Sequence, residues 1–228
     1  MKFLNEEITR LKSSMHIHKV AKITIDMWPS VSTSLSCFLI KKSYLMRNKY
    51  RINQFIKDIG SKPTLDAINE DEFVELREVG KGTFSSCALH YHITSGKLCV
   101  IKKQFKIHIE ADELLQRETD NYSKLSHPFL PIFYGIVKNK NYNIIEFING
   151  KTLKDIEKNE LNYNDRIIII FELMIILKFF HDNVYIYRDL KPDNVMIDDN
   201  KNIVLIDLDR LIKKDDKIEH TSDLGCFF

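Results

Sequence analysis

A two-lobed α+β fold is predicted for this 228-residue chain by three observations. Short β-branched and aromatic runs separated by turns fill residues 73–147, around one helical segment. Ile167–Phe180 carries 12 apolar residues in 14, and a helix apolar nearly all round is expected to be buried on all sides. Two short apolar runs, Val195–Ile197 and Ile203–Ile206, flank the turn Asp198–Lys201 and predict a small hairpin. A β-rich part followed by a helical part leaves a cleft between them as the natural ligand site.

The elements follow in order. Residues 3–20 and 43–59 read as helices, and Gly60-Ser61-Lys62-Pro63 breaks the pattern as a linker. Phe73–Val79, Ser86–Ile93 and Lys97–Lys102 read as strands, with Thr94-Ser95-Gly96-Lys97 as a hairpin turn. Glu110–Leu125 is helical, Phe133–Val137 and Tyr142–Phe147 are strands, and Gly150 ends the sheet region. Thr152 with Asp155, and Asn162 with Asp165, both have capping-box spacing, with Asp in the Glu place. The second pair opens the apolar helix.

Composition excludes several classes. With 44% hydrophobic residues, 7 Gly and 5 Pro, the chain is neither disordered nor collagenous. The net charge of +2 implies no nucleic-acid partner. Cys37, Cys87, Cys99 and Cys226 lie far apart, against a disulfide framework or zinc site and for a reducing compartment. No apolar run approaches a membrane span and no signal pattern opens the chain, so a soluble cytoplasmic protein is expected. The charge is uneven: residues 1–68 hold 12 basic and 5 acidic side chains, +7, which leaves −5 for the rest. The cluster Lys41–Arg51 is read as a solvated helix face, with a membrane surface, RNA or an acidic partner as alternatives.

Three motifs carry chemistry. Gly80-Lys81-Gly82-Thr83-Phe84-Ser85 lies between two strands; its glycines allow backbone N–H groups to approach phosphate oxygens, and an ordinary hairpin turn is the alternative. Cys99-Val100-Ile101-Lys102 ends a strand in a lysine, a functional cation or one that snorkels into water. Tyr187-Arg188-Asp189-Leu190-Lys191-Pro192-Asp193-Asn194 packs carboxylates, cations and an amide between two core elements, which a charged surface loop does not explain.

This last motif resembles the catalytic loop of eukaryotic-type Ser/Thr protein kinases, and Ile206-Asp207-Leu208-Asp209 follows where their Asp-Phe-Gly motif belongs. The resemblance covers about residues 71–228. It implies a protein-kinase-like two-lobed α+β fold, with a basic N-terminal extension (1–70), an N-lobe (71–149) and a partial C-lobe (150–228). It implies ATP and Mg²⁺ as cofactors and Ser/Thr hydroxyls of a protein as substrate. Counting back from His127-Pro128 gives Glu118, not Glu113, as the partner of Lys102.

The implied catalytic residues are Asp189, Lys191, Asn194, Lys102 and Glu118, and the metal ligands are Asn194 and Asp207. Nucleotide contacts are implied for Val79, Gly80, Lys81, Gly82, Thr83, Phe84, Ser85, Cys87, Val100, Lys102, Ile145, Glu146, Ile148 and Met196. Tyr122, Phe133, Tyr187 and Leu208 are implied to stack as a regulatory spine. The hinge region is reminiscent of the tyrosine-kinase-like group.

Ser85 for the third glycine, Leu208 for Phe and Asp209 for Gly depart from the family pattern. The resemblance stops at Phe228, before the Ala-Pro-Glu motif, so an incomplete C-lobe is expected. Its apolar helix then needs cover from residues 1–70, a second copy or a protein partner. Thr221 and Ser222 are read as candidate phosphorylation sites opposite Arg188. A pseudokinase that binds nucleotide or a partner without turnover is the alternative function, and a small-molecule kinase a third.

Overall fold

The computed structural model describes residues 51, 68–82, 85–104, 109–140, 142–157 and 159–214. Residue 51 apart, the two expected N-terminal helices, with the 60–63 linker, Thr83, Phe84 and the 221–228 segment, lie outside them.

The first layer is a five-stranded antiparallel sheet. Its strands are β1 (Phe73–Lys81), β2 (Ser85–His92), β3 (Lys97–Gln104), β4 (Phe133–Ile136) and β5 (Asn143–Glu146), in the order β1-β2-β3-β5-β4. Ile93–Gly96 makes the β2–β3 turn, with Gly96 at φ +67, a conformation glycine adopts without a Cβ penalty. Helix α1 (Ile109–Lys124) packs between β3 and β4. Ile68 extends the sheet: its N–H donates to Ile136 O at 2.9 Å, and Lys138 N–H donates back to Ile68 O at 2.7 Å.

The second part is built on α2 (Tyr163–Asp182). Its start forms a full capping box: Asp165 N–H donates to Asn162 Oδ1 at 2.9 Å and Asn162 N–H to Asp165 Oδ2 at 3.2 Å. At Thr152 the same spacing closes only a single turn, because Leu153 N–H is drawn to Val195 O at 2.7 Å. Gly150 does not end the strands. It opens β6 (Gly150–Thr152), which joins β8 (Val195–Asp198) and β9 (Ile203–Leu205) in a three-stranded sheet. The predicted hairpin is its β8–β9 half. β7 (Tyr185–Tyr187) and β10 (Leu211–Lys213) form a two-stranded ribbon that has no local sequence signal.

The main core joins both parts, with Phe129, Leu130, Ile175, Ile176, Phe180 and Leu208 almost wholly enclosed. The expectation that α2 is buried all round is corrected. Ile168, Ile169, Ile175, Ile176, Phe179 and Phe180 are buried, whereas Ile170 and Met174, on another face, are 55% and 51% exposed. Glu172 is fully buried and accepts the Ile203 N–H at 3.1 Å, tying α2 to β9. No helix among the described residues is long and apolar enough to cross a membrane.

Candidate functional site

The site lies where β1–β3, α1 and the loops around β7–β9 converge. Lys102 stands on β3 opposite Cys87 of β2 and Asn143 of β5. Its Nζ is 2.9 Å from Glu118 Oε2 on α1 and 3.0 Å from Asp207 Oδ1. Burial pulls the Lys102 ammonium down, but the Glu118 and Asp207 charges outweigh it and hold the group well above the ordinary lysine range. Asp207 shows the converse: burial raises it, and Lys102 more than offsets this, so its carboxyl sits below the usual range. Burial raises the Glu118 carboxyl, with Lys102 pulling the other way.

Glu118 has further support that the sequence did not reveal. Asn143 Nδ2 donates to Glu118 Oε2 at 3.4 Å, and Thr119 Oγ1 donates to Asn143 Oδ1 at 2.7 Å. A turn below, the buried Asn121 amide donates to Leu208 O at 2.8 Å and Leu211 O at 2.9 Å. Helix α1 is thereby joined directly to the segment that carries Asp207. That backbone is special at one point: Asp207 has φ +68, in the left-handed region that Asp tolerates better than most residues.

The catalytic-loop residues form a second cluster. Asn194 Nδ2 donates to Asp189 Oδ2 at 2.8 Å and to Asp189 O at 2.9 Å. Lys191 Nζ lies 2.6 Å from Asp189 Oδ2. The Tyr187 hydroxyl is shared between Ile206 O at 3.1 Å and Asp207 O at 3.2 Å. Burial pushes the Tyr187 phenol up, so it stays a neutral donor holding the two segments together. Of the implied spine, Tyr122 and Phe133 stack with centroids 6.0 Å apart, and Tyr187 and Leu208 are buried in the same core.

These groups border a cavity of about 510 Å³. Val79, Gly80, Lys81, Gly82, Ser85, Cys87, Val100, Ile145, Glu146, Ile148 and Met196, implied by sequence, all line it, and Asn194 and Asp207 lie on its inner side. Cys87 belongs to its apolar wall; burial raises its thiol to about 11, so it is uncharged. An adjoining space of about 260 Å³ shares Lys102, Glu118 and Asp207 and adds Asp189, Lys191 and Asp209. One end of the combined cleft is therefore apolar and the other charged. Thr83 and Phe84 lie outside the described residues.

The charged end fits a divalent cation with an anionic ligand. The Asn194 amide nitrogen is committed to Asp189, which leaves its oxygen as a hard donor, and the Asp207 carboxylate lines the same cavity. Asp209 adds a carboxyl whose Oδ1 is buried without a hydrogen-bond partner. Burial and then the Asp207 charge push Asp209 up to about 7.

Arg51, expected on a solvated helix face, is buried, with its guanidinium paired to Glu146, which lines the cavity. Nothing local in the sequence distinguishes it from its basic neighbours.

The protein kinase domain family matches residues 73–222. A probable serine/threonine-protein kinase of Dictyostelium discoideum is 30% identical over 149 residues, which cover 62% of this chain and 33% of that protein. Maternal embryonic leucine zipper kinase of Xenopus tropicalis is 31% identical over 143 residues, 60% of this chain and 22% of that protein. Protein kinase C-like 1 of Candida albicans is 32% identical over 165 residues, 68% of this chain and 15% of that protein. The chain thus spans a third or less of the length of these relatives.

Proposed function

This chain belongs to the protein kinase family, and from that premise we propose that it transfers the γ-phosphate of ATP to Ser or Thr hydroxyls of a protein substrate. The observation that carries the reading is the Lys102 ammonium held between Glu118 and Asp207 at 2.9 and 3.0 Å, beside the Asp189–Asn194 pair.

Phosphoryl transfer asks a protein mainly for positioning and for neutralisation of spread negative charge. In the proposed roles, Lys102 binds the α/β-phosphates and Glu118 orients Lys102. Asp207 and Asn194 hold Mg²⁺, which supplies charge neutralisation at the phosphates when bound. Asp189 orients the substrate hydroxyl and accepts its proton. Lys191, 2.6 Å from Asp189, offsets charge on the transferred group. The apolar wall of Cys87, Val100 and Met196 takes the base, and Gly80, Gly82 and Ser85 the phosphates. Ser/Thr rather than Tyr is supported by Lys191 in the 187–194 loop and by the serine/threonine-protein kinase among the relatives, and a cytoplasmic location is part of the proposal.

The test is transfer of labelled γ-phosphate from ATP with Mg²⁺ to a Ser/Thr/Tyr peptide library, with Lys102→Met as control. Incorporation at Ser and Thr that Lys102→Met abolishes is expected. A Mg²⁺-dependent ATP shift in melting temperature without transfer would instead identify a nucleotide-binding pseudokinase. Neither transfer nor a shift rejects the site.

A further inference from the structure

Arg51 lies outside the residues matched by the kinase domain, yet its side chain is only 6% exposed and is satisfied by four hydrogen bonds. Nη1 pairs with Glu146 Oε1, and Nη2 donates to Glu146 Oε2 at 2.9 Å, a bidentate fork. Nε donates to Pro128 O at 2.7 Å, and Nη2 also to Leu130 O at 2.9 Å. Glu146 closes the arrangement from the other side: its Oε2 accepts the Ile132 N–H at 3.0 Å, and its own N–H donates to Ile132 O at 2.8 Å. One guanidinium therefore links the 128–132 segment to the last residue of β5.

That residue sits at a sensitive place. Ile145, Glu146, Phe147 and Ile148 line the 510 Å³ cavity together with Cys87 and Val100, and Ile145 pairs with Val100 in the sheet. A buried ion pair is a poor device for stability alone, because desolvating both charges offsets most of their attraction, and an apolar pair of similar volume commonly does as well. What the fork supplies is fixed geometry: five donors in a plane admit one arrangement of carboxylate and carbonyls. Its neighbour does not compete for Glu146, since burial and the Arg51 charge push the His127 ring down to about 3 and keep it neutral.

We propose that Arg51 is a positioning residue for nucleotide binding: its fork on Glu146 fixes the 145–148 wall of the cleft, so that chain preceding the kinase domain sets nucleotide affinity in cis. The proposal rests on the reading of the cleft as a nucleotide site.

The experiment titrates ATP with Mg²⁺ into the full chain and three variants, Arg51→Lys, Glu146→Gln and the double variant Arg51→Met/Glu146→Leu, with a thermal melt of each. The double variant takes from the Pro128 and Leu130 carbonyls and the Ile132 N–H the partners that the fork supplied, so it is expected to melt below the parent, while its Kd for ATP rises about tenfold, within the usual range of site-to-site coupling. Arg51→Lys, which keeps the charge and loses the fork, and Glu146→Gln are expected to weaken binding in the same direction, and they decide the matter if the double variant fails to fold. Parent affinity in the folded variants overturns the clamp and leaves the nucleotide site standing. No ATP binding by the parent chain overturns both.

Discussion

Asn121 on α1 reaches across to the segment that carries Asp207, its amide nitrogen 2.8 Å from the Leu208 carbonyl oxygen. The same nitrogen serves Leu211 O at 2.9 Å, at the start of β10. Because Glu118 lies one turn earlier on the same helix, the Lys102-mediated and Asn121-mediated contacts with the 207–211 segment act in parallel, beside the Leu208 backbone hydrogen bond to Glu118. Substituting Asn121 by Leu removes both donations; Leu208 O keeps the Leu211 N–H at 3.2 Å, so the loss is about 1–3 kcal/mol where no water replaces the donor. Asn121→Asp is worse, since it sets a carboxylate against two carbonyl oxygens. Peptide phosphorylation assays should find kcat/KM lowered about tenfold or more in Asn121→Leu and further in Asn121→Asp. Parent-like kinetics in both variants would show that α1 is held in place without Asn121.

Asp189 and Asp207 are assigned different work, so their amide variants should fail differently. Asp189→Asn removes the group proposed to accept the hydroxyl proton and should lower kcat by about 10²–10⁴-fold with ATP affinity nearly intact. Asp207→Asn removes the carboxylate that pairs with Lys102 at 3.0 Å and is proposed to hold Mg²⁺, so the damage should appear in the Kd for ATP with Mg²⁺. Steady-state kinetics and calorimetry separate the two. Equal effects of both variants on kcat and Kd contradict the division.

Much of this site was legible because its parts are local. The 187–194 motif sits in eight consecutive residues, and the β2–β3 turn announces itself through Gly96. Glu118 was found by counting from His127-Pro128, and the structure brings it to 2.9 Å from Lys102. What escaped depends on partners distant in sequence. β7 and β10 are three-residue strands whose pairing of Tyr187 with Leu211 leaves no periodicity to read. Gly150 looked like a terminator because its partner strand, β8, comes after the whole of α2. The burial of Arg51 leaves no local trace because its carboxylate partner lies 95 residues away. The even apolarity of α2 overstated its burial: Ile170 and Met174 are half exposed although the opposite face is packed.

Asp209 gives a pH dependence of defined sign. Its carboxyl is raised from the ordinary 3.8 to about 7 by burial and by Asp207. Between those two values the folded chain keeps a proton that the unfolded chain has released, so this group's contribution to stability falls as pH rises through the window and is flat above it. Asp209→Asn keeps the shape and cannot ionise. Melting curves of parent and variant without metal or nucleotide should converge near the low end of the window and separate by several degrees at its top, at roughly 2–4 °C per kcal/mol for a chain of this size. A difference that does not change with pH would mean that Asp209 is ionised throughout.

Two backbone positions should respond in opposite directions to exchanges of glycine. Val184 has φ +68, where a β-branched residue is strained, and its side chain is 50% exposed, so little packing is lost by removing it. The turn itself is anchored by Val184 N–H to His181 O at 3.0 Å and Lys214 N–H to Val184 O at 2.8 Å, bonds that glycine retains. Val184→Gly should therefore stabilise by about 1 kcal/mol, the strain relieved less the added chain entropy. Gly150 is the reverse case: a Cβ there would stand 2.1 Å from the Ile197 carbonyl oxygen, which is backbone and cannot rotate away. Gly150→Ala must push β6 off β8, and β6 leads directly to Thr152, Lys154 and Asp155 at the rim of the cavity. Its melting temperature should fall, by an amount equivalent to about 2 kcal/mol or more, in the range of core overpacking, and its affinity for ATP should fall with it. A Gly150→Ala chain with parent-like melting and binding would show that β6 can move without disturbing the cleft.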